Sequence, residues 1–326
     1  MTTNLVSLFS GVGGFDLGLE RAGMKTVFQC EIDRHATTIL QRHWPDVARW
    51  DDVRTLTGRR IVETTEQVDV IAWGSPCQDL SVAGRREGLK GERSGLFREG
   101  IRIIKEIREV TNGKYPRISI WENVHGALTS HRGEHFRAVL NQMAECGSRF
   151  SEWRVLDSQY FGIPQRRRRV FLVSVFDASI TDEPERAILS FTESVSRNTA
   201  KNRSQGSNDS RTTVDTSSAS NGTRPILIDR AAYNQGINAQ YKPYIKDEPV
   251  IPSIVAKGPH AVEYEGVIRQ ITPIESERLM GWPDGWTEGV SDTQRYRQCG
   301  NGVVAPVAQW VGEQVMKLFN EGEPNV

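Results

Sequence analysis

Five short, near-continuous apolar runs in the first 176 residues constrain this chain most: NLVSLF (Asn4–Phe9), TVFQCEID (Thr26–Asp33), VDVIAWG (Val68–Gly74), RISIWENV (Arg117–Val124) and RVFLVSVF (Arg169–Phe176). A strand that is apolar on successive residues must be covered on both faces. That is the condition of a parallel sheet between layers of helices. The intervening GLFREGIRIIKEIREV and EHFRAVLNQMAEC carry apolar residues at helical spacing. The alternation predicts an α/β domain with a doubly wound, mostly parallel sheet. At 326 residues, 37% apolar and 25% charged, the chain can bury such a sheet without staples.

The pattern stops near residue 185. Residues 192–223 are rich in Ser, Thr, Asn and Arg and nearly devoid of large apolar side chains. Such a stretch cannot offset its ordering entropy by burial, so it is expected to be mobile. A short mixed segment follows, to about Val267. In TPIESERLMG, Thr272 and Glu275 have the spacing of a capping box. APVAQWVGEQVMKLFNEG predicts a last helix. The expected division is a discontinuous main domain, residues 1–185 and 270–326, with a small, mostly irregular or β region at 186–269.

Net charge is zero, so any polyanion must be met by a local basic patch. The four cysteines, Cys30, Cys77, Cys146 and Cys299, are scattered without a CxxC pair. Neither a disulfide framework nor a zinc site is suggested. His131 and His135 have helical spacing but lack further ligands, and no metal is expected. No run reaches about 18 apolar residues. A cytoplasmic protein without a membrane partner is expected.

Gly11, Gly13 and Gly14 lie between the first strand and the helix that follows it. Glycines there permit a tight turn and close approach of a ligand to the backbone. The GxGxxG pyrophosphate pattern fails at Asp16, and a plain glycine-rich turn is the competing reading. The second strand ends in an acidic pair placed to meet ribose hydroxyls, Glu31 first and Asp33 as the alternative. Asp52, after a third short strand, could reach an adenine amino group; capping a helix is the alternative for it and Asp51. Together these residues describe an adenosine site without a pyrophosphate, which suits S-adenosylmethionine.

Cys77 follows the fourth strand in IAWGSPCQDLSVAG, and Glu122 and Asn123 close the fifth. Ligands of open parallel sheets sit beyond the carboxyl ends of strands, so these groups share a rim with the glycine loop. A buried inert cysteine is the commonest alternative, but Pro76 and Gln78 hold Cys77 in an outward turn. A thiolate adding to C6 of cytosine would make C5 nucleophilic enough to take a methyl group. A carboxyl group facing N3 and an arginine at O2 would stabilise that addition. Arginine candidates are Arg166 to Arg169 in GIPQRRRRVFLV. Alternation sends Arg167 and Arg169 to one face and Arg166 and Arg168 to the other. A solvated basic edge or a phosphate patch is the plainer reading of the run, and the two readings can hold together, one for each face.

In these elements and their order the chain resembles the DNA (cytosine-5)-methyltransferases of bacterial and phage type. FSGVGGFDLG is similar to the family's cofactor loop, GSPCQDLSVAG to its nucleophile turn, WENV to its ENV element and QRRRR to its Q-R-x-R element. RQITPIESERLMGWPDGW and QCGNGVVAPVAQWV are similar to its two carboxyl-terminal elements. The resemblance implies the S-adenosylmethionine-dependent methyltransferase fold, with 186–269 as target-recognition region. It implies Cys77 as nucleophile, Glu122 at N3 and the exocyclic amine, and Arg167 at O2. Phe9, Gly11, Gly13, Gly14, Glu31, Asp33 and Asp52 would bind S-adenosylmethionine, leaving S-adenosylhomocysteine as product. Asn301 would support that site and the last helix, which packs back on the first domain. Pro76, Gln78, Ser81, Asn123, Gln165 and Arg169 would face double-stranded DNA. The family usually has serine where this chain has Gly302, and phenylalanine where it has Leu80. A monomer is expected, and a cognate restriction endonuclease is a candidate partner.

Two competing readings share the fold. A tRNA-directed relative would carry a Cys-Phe-Thr tripeptide in the second half, but no cysteine lies between Cys146 and Cys299. An inactive DNA-binding regulator would not need all three catalytic groups. Within DRAAYNQGINAQYKPYIKDEP, Asn234, Gln235, Asn238 and Gln240 could read adenine edges, and Lys242 and Lys246 could reach phosphate. A polar hairpin surface is the equal alternative.

Overall fold

The computed structural model describes residues 2–75, 95–180, 188–190, 226–228, 245–246, 250–264 and 266–321. It divides into two compact units. The first comprises Met1–Leu156, Arg168–Ser190 and Val307–Val326, and the second Asp157–Arg167 and Phe191–Pro306.

The chain begins with β1 (Thr3–Leu8), α1 (Gly14–Arg21), β2 (Met24–Cys30), α2 (Arg34–His43), β3 (Ala48–Trp50), α3 (Gly58–Thr65) and β4 (Val70–Trp73). It continues with α4 (Gly95–Val110), β5 (Ile118–Val124), α5 (Glu134–Glu145), β6 (Phe150–Asp157), β7 (Gln165–Arg166) and β8 (Arg168–Val175). Seven of these strands form the sheet of the first unit, in the order β3-β2-β1-β4-β5-β8-β6. β1 to β5 pair in parallel, and β8 runs antiparallel to β5. The expected mostly parallel, doubly wound sheet is observed. Its winding reverses between β1 and β4, which opens a crevice beyond their carboxyl ends.

The expected apolar runs are the buried strands: β4 is buried throughout, and β8 from Val170 onward. α4 turns Phe97, Ile101, Ile104 and Ile107 inward at helical spacing. A Cβ on Gly100 would lie 2.5 Å from the Trp73 ring, so glycine lets α4 approach the sheet. Trp73, Phe97, Trp121 and Phe136 form one packed aromatic cluster.

In the second unit, β9 (Ile226–Ile228), β10 (Ile245–Lys246), β12 (Ala261–Tyr264) and β13 (Val267–Gln270) make an antiparallel sheet in the order β10-β9-β12-β13. β11 (Ile251–Pro252) pairs in parallel with β7. Then come α6 (Pro273–Arg278) and α7 (Asp292–Asn301). The expected capping box opens α6, with Thr272 and Glu275 exchanging hydrogen bonds. Buried Glu277 accepts from the backbone N–H groups of Gly285 and Thr287 and pairs with Arg295 at 2.8 Å. The last helix, α8 (Ala305–Glu321), meets α1 through Gly312, where a Cβ would lie 2.7 Å from Ala22. No helix among the described residues is long and apolar enough to cross a membrane. The 192–223 stretch and Asn234, Gln235, Asn238, Gln240 and Lys242 lie outside the described residues; Lys246 lies in β10.

Candidate active site

The chain turns as soon as β1 ends. Phe9, Gly11 and Gly13 take φ of 55°, 57° and 80°, a region that side chains rarely adopt. A Cβ on Gly13 would lie 2.3 Å from the Trp44 ring, whereas one on Gly11 would meet nothing within 4 Å. Gly14 then opens α1, which no side chain caps, so its first N–H groups have no partner of that kind.

Glu31, just past β2, braces this loop. One carboxylate oxygen accepts from the Gly11 N–H at 2.7 Å and the other from the Asp33 N–H at 2.8 Å. Each oxygen retains capacity for another donor. Burial pushes the Glu31 carboxyl above its ordinary range. Asp33, the alternative ribose ligand, caps α2 by accepting from the His35 and Ala36 N–H groups. Asp52 is held by Arg54, with Nη2 to Oδ2 at 2.7 Å, and that pairing lowers its carboxyl. Asp52 also closes a turn through the Arg54 N–H, so a capping role is the geometry observed, though at a turn rather than a helix.

Sequence reading missed the group beneath the loop. Asp16 is fully buried on α1, where it accepts from Ser7 Oγ of β1 at 3.0 Å and Gln29 Nε2 of β2 at 2.8 Å. Its burial raises the carboxyl to about 6. Gln29 in turn accepts from Arg49 Nε. The only signal in sequence was a charge at a position of helical spacing that should be covered.

Pro76, Cys77, Gln78 and Ser81 lie outside the described residues, which on this side run to Ser75. β4 and β5 put Trp73 opposite Trp121, which brings Glu122 beside Gly74. A Cβ on Gly74 would lie 3.3 Å from Glu122 Oε2. Asn123 is 2% exposed, and its amide donates to the Ser75 carbonyl at 3.2 Å. Its own oxygen accepts from the Val124 N–H. The expectation that Asn123 faces DNA is therefore corrected: it is buried and fastens the residue two before Cys77.

Because β8 is antiparallel, its amino end returns to the carboxyl rim of β5. Val124 pairs with Arg169, so Glu122 and Arg169 are diagonal neighbours. Arg169 Nε lies 3.1 Å from Glu122 Oε1, with both side chains largely covered.

Gln165 and Arg167 belong to the second unit. Both are buried, Gln165 completely. Gln165 donates to the Leu279 carbonyl at 2.6 Å and accepts from the Ile254 N–H at 3.0 Å. Arg167 donates to the carbonyls of Ile254, Gly300 and Gly302 at 3.1, 3.0 and 2.7 Å. Gln165 is thus corrected from a DNA contact to a backbone staple. Arg167 is likewise placed among carbonyls rather than beside Glu122. Exposure alternates through Arg166 to Arg169 as expected, but the two covered arginines serve different units. Asn301 ends α7 and is exposed. Gly302 has a local cause: a Cβ there would lie 2.6 Å from the Trp282 ring.

Residues 3–317 match the family described as C-5 cytosine-specific DNA methylase. The chain belongs to that family. Cytosine-5 methylation of DNA and the methyltransferase fold, both expected from sequence, are borne out, and the family's reaction requires a methyl donor. Among curated relatives, the type II methyltransferase M2.BsuMI of Bacillus subtilis is 32% identical over 330 residues, covering 95% of this chain and 75% of that protein. The type II methyltransferase M.HpaII of Haemophilus parainfluenzae is 28% identical, covering 97% and 90%. The solved structure of the S. pombe Dnmt2 methyltransferase shares the fold, with a TM-score of 0.66, 17% identity and coverage of 98% and 99%. In this methylase a serine at position 302 would bring its Cβ within 2.6 Å of the Trp282 ring.

Proposed function

We propose that this methylase moves the methyl group of S-adenosylmethionine to C5 of a cytosine flipped out of a specific double-stranded DNA sequence, with Cys77 as nucleophile. The observation that carries the reading is the Glu122–Arg169 pair beside Gly74, three residues before Cys77.

Cytosine C5 is a poor nucleophile in the intact ring. Addition of the Cys77 thiolate at C6 makes it enamine-like and able to take a methyl group. A proton from Glu122 at N3 offsets the charge that develops in the ring. Arg169, already on the same carboxylate, holds O2 and adds electrostatic stabilisation. The O2 role expected for Arg167 therefore passes to Arg169, and Arg167 becomes a positioning residue. Loss of the C5 proton and elimination of the thiol complete the reaction. The described cysteines support this choice of nucleophile. Cys30, Cys146 and Cys299 are buried. Burial pushes Cys30 up to about 12 and Cys146 to about 11, and Cys299 is raised too. Such thiols yield little thiolate at neutral pH.

S-adenosylmethionine, when bound, supplies an electrophilic methyl carbon. The open face of Gly11, the uncapped start of α1 and the spare acceptor capacity of Glu31 fit its amino-acid and ribose parts. We assign residues 1–185 and 270–326 to catalysis and 186–269 to target recognition. Relatives named type II methyltransferases suggest a restriction endonuclease of the same specificity as partner.

The test is methyl transfer from radiolabelled S-adenosylmethionine to unmethylated bacterial DNA, followed by bisulfite sequencing. The proposal expects 5-methylcytosine confined to one short sequence. Incorporation into adenine, or none, would sink it.

A further inference from the structure

The antiparallel pairing of β5 and β8 brings one further pair to the rim held by Glu122 and Arg169. His125 is the first residue beyond β5, and Arg168 is the first of β8. Arg168 Nη2 lies 3.5 Å from His125 Nε2. Two basic side chains thus meet on the surface, and no carboxylate of the described residues pairs with Arg168. The neighbouring arginines differ: Arg167 is absorbed by carbonyls and Arg169 by Glu122. The next turn, Ser130–Gly133, packs on that of His125 and carries exposed Arg132 at φ 56°.

A zero-charge chain has no global field with which to hold DNA, so its affinity for the phosphate backbone must arise from local basic groups. A base that leaves the stack rotates about its own backbone, and the phosphates of that strand must be held meanwhile. With Nε2 accepting from Arg168, the imidazole carries its proton on Nδ1, and the guanidinium keeps further N–H groups, so the pair offers donors from both side chains to phosphate oxygens. We infer that His125 and Arg168 form a phosphate-binding pair for the target strand beside Glu122. The inference rests on the DNA-methylation reading above.

The probe is a random-sequence duplex of about 30 base pairs, titrated between roughly 50 and 200 mM salt, a range over which phosphate contacts weaken steeply. Arg168→Ala should reduce the slope of log affinity against log salt by about 0.9, the value of one phosphate contact. Arg168→Lys should keep the slope, because the charge remains. His125→Ala should weaken binding roughly threefold to tenfold, the worth of one hydrogen bond. Thermal unfolding checks that each variant is folded. Methyl incorporation into bacterial DNA by the unaltered protein is measured alongside, and its absence would overturn the proposed function. Incorporation by the unaltered protein, together with folded Arg168→Ala and His125→Ala variants of unchanged slope and affinity, would overturn the phosphate pair alone.

Discussion

Arg169 Nε lies 3.1 Å from Glu122 Oε1 across the antiparallel pairing of β5 with β8. The pair is a diagonal one, fixed by the register that sets Val124 against Arg169. It places a cation on the carboxylate beside Gly74. Arg169→Ala should therefore lower kcat by about 10²–10³, as loss of one oxyanion donor does, with a small change in melting temperature. Single-turnover methylation and a thermal melt check this together. A folded variant with unchanged kcat would return the O2 role to another residue.

Arg167→Ala should do the reverse. It leaves the buried carbonyl of Ile254 and the partly buried carbonyls of Gly300 and Gly302 without this donor, at up to about 1–3 kcal/mol each. A loss of at least about 3 kcal/mol in urea unfolding is expected, with Arg167→Lys only a partial rescue because a point charge cannot span the fork. A stable, inactive Arg167→Ala protein would contradict this assignment.

Asp16 gives a pH signature. Its folded carboxyl titrates near 6, above the ordinary value of 3.8. Between those values the folded state binds more protons than the unfolded one, so stability falls as pH rises through the window. Asp16→Asn keeps a hydrogen-bonding amide without the charge. It should gain roughly 2–3 kcal/mol on wild type above pH 6, and the gain should vanish near pH 4. Urea titrations at matched pH test this, and a difference independent of pH would refute it.

Gly302→Ser introduces the serine that the family resemblance leads one to expect but puts a Cβ 2.6 Å from the Trp282 ring. Overpacking of this kind costs about 1–3 kcal/mol. The loss should shrink in a Gly302→Ser, Trp282→Leu double variant. A neutral single variant would show that the ring moves freely.

Apolar runs made β1, β2, β4, β5 and β8 legible, because a strand covered on both faces leaves no polar position. The same physics hid the direction of β8, since an antiparallel strand in a covered sheet carries the same run. β6 escaped notice because Phe150–Arg154 is only partly covered and mixes charge with aromatic residues. Residue type indicated Glu122 and the glycine loop but could not separate Arg167 from Arg169. Alternation put both on one face, yet the chain leaves β7 and enters β8 at Arg167, and that break has no sequence mark. Asn123 likewise reads as a base contact until its burial against Ser75 is known.

The central claim is a covalent bond from Cys77 to the cytosine ring. Fluorine at C5 cannot leave as a cation, so elimination should stall after methyl transfer. Duplex DNA synthesised with 5-fluorocytosine at every cytosine is incubated with the protein and S-adenosylmethionine, denatured, and digested for peptide mass mapping. The account predicts an adduct that survives denaturing electrophoresis, requires S-adenosylmethionine, carries one added methyl group and maps to the Cys77 peptide. An adduct on Cys30, Cys146 or Cys299, or none from protein that methylates ordinary DNA, would contradict it.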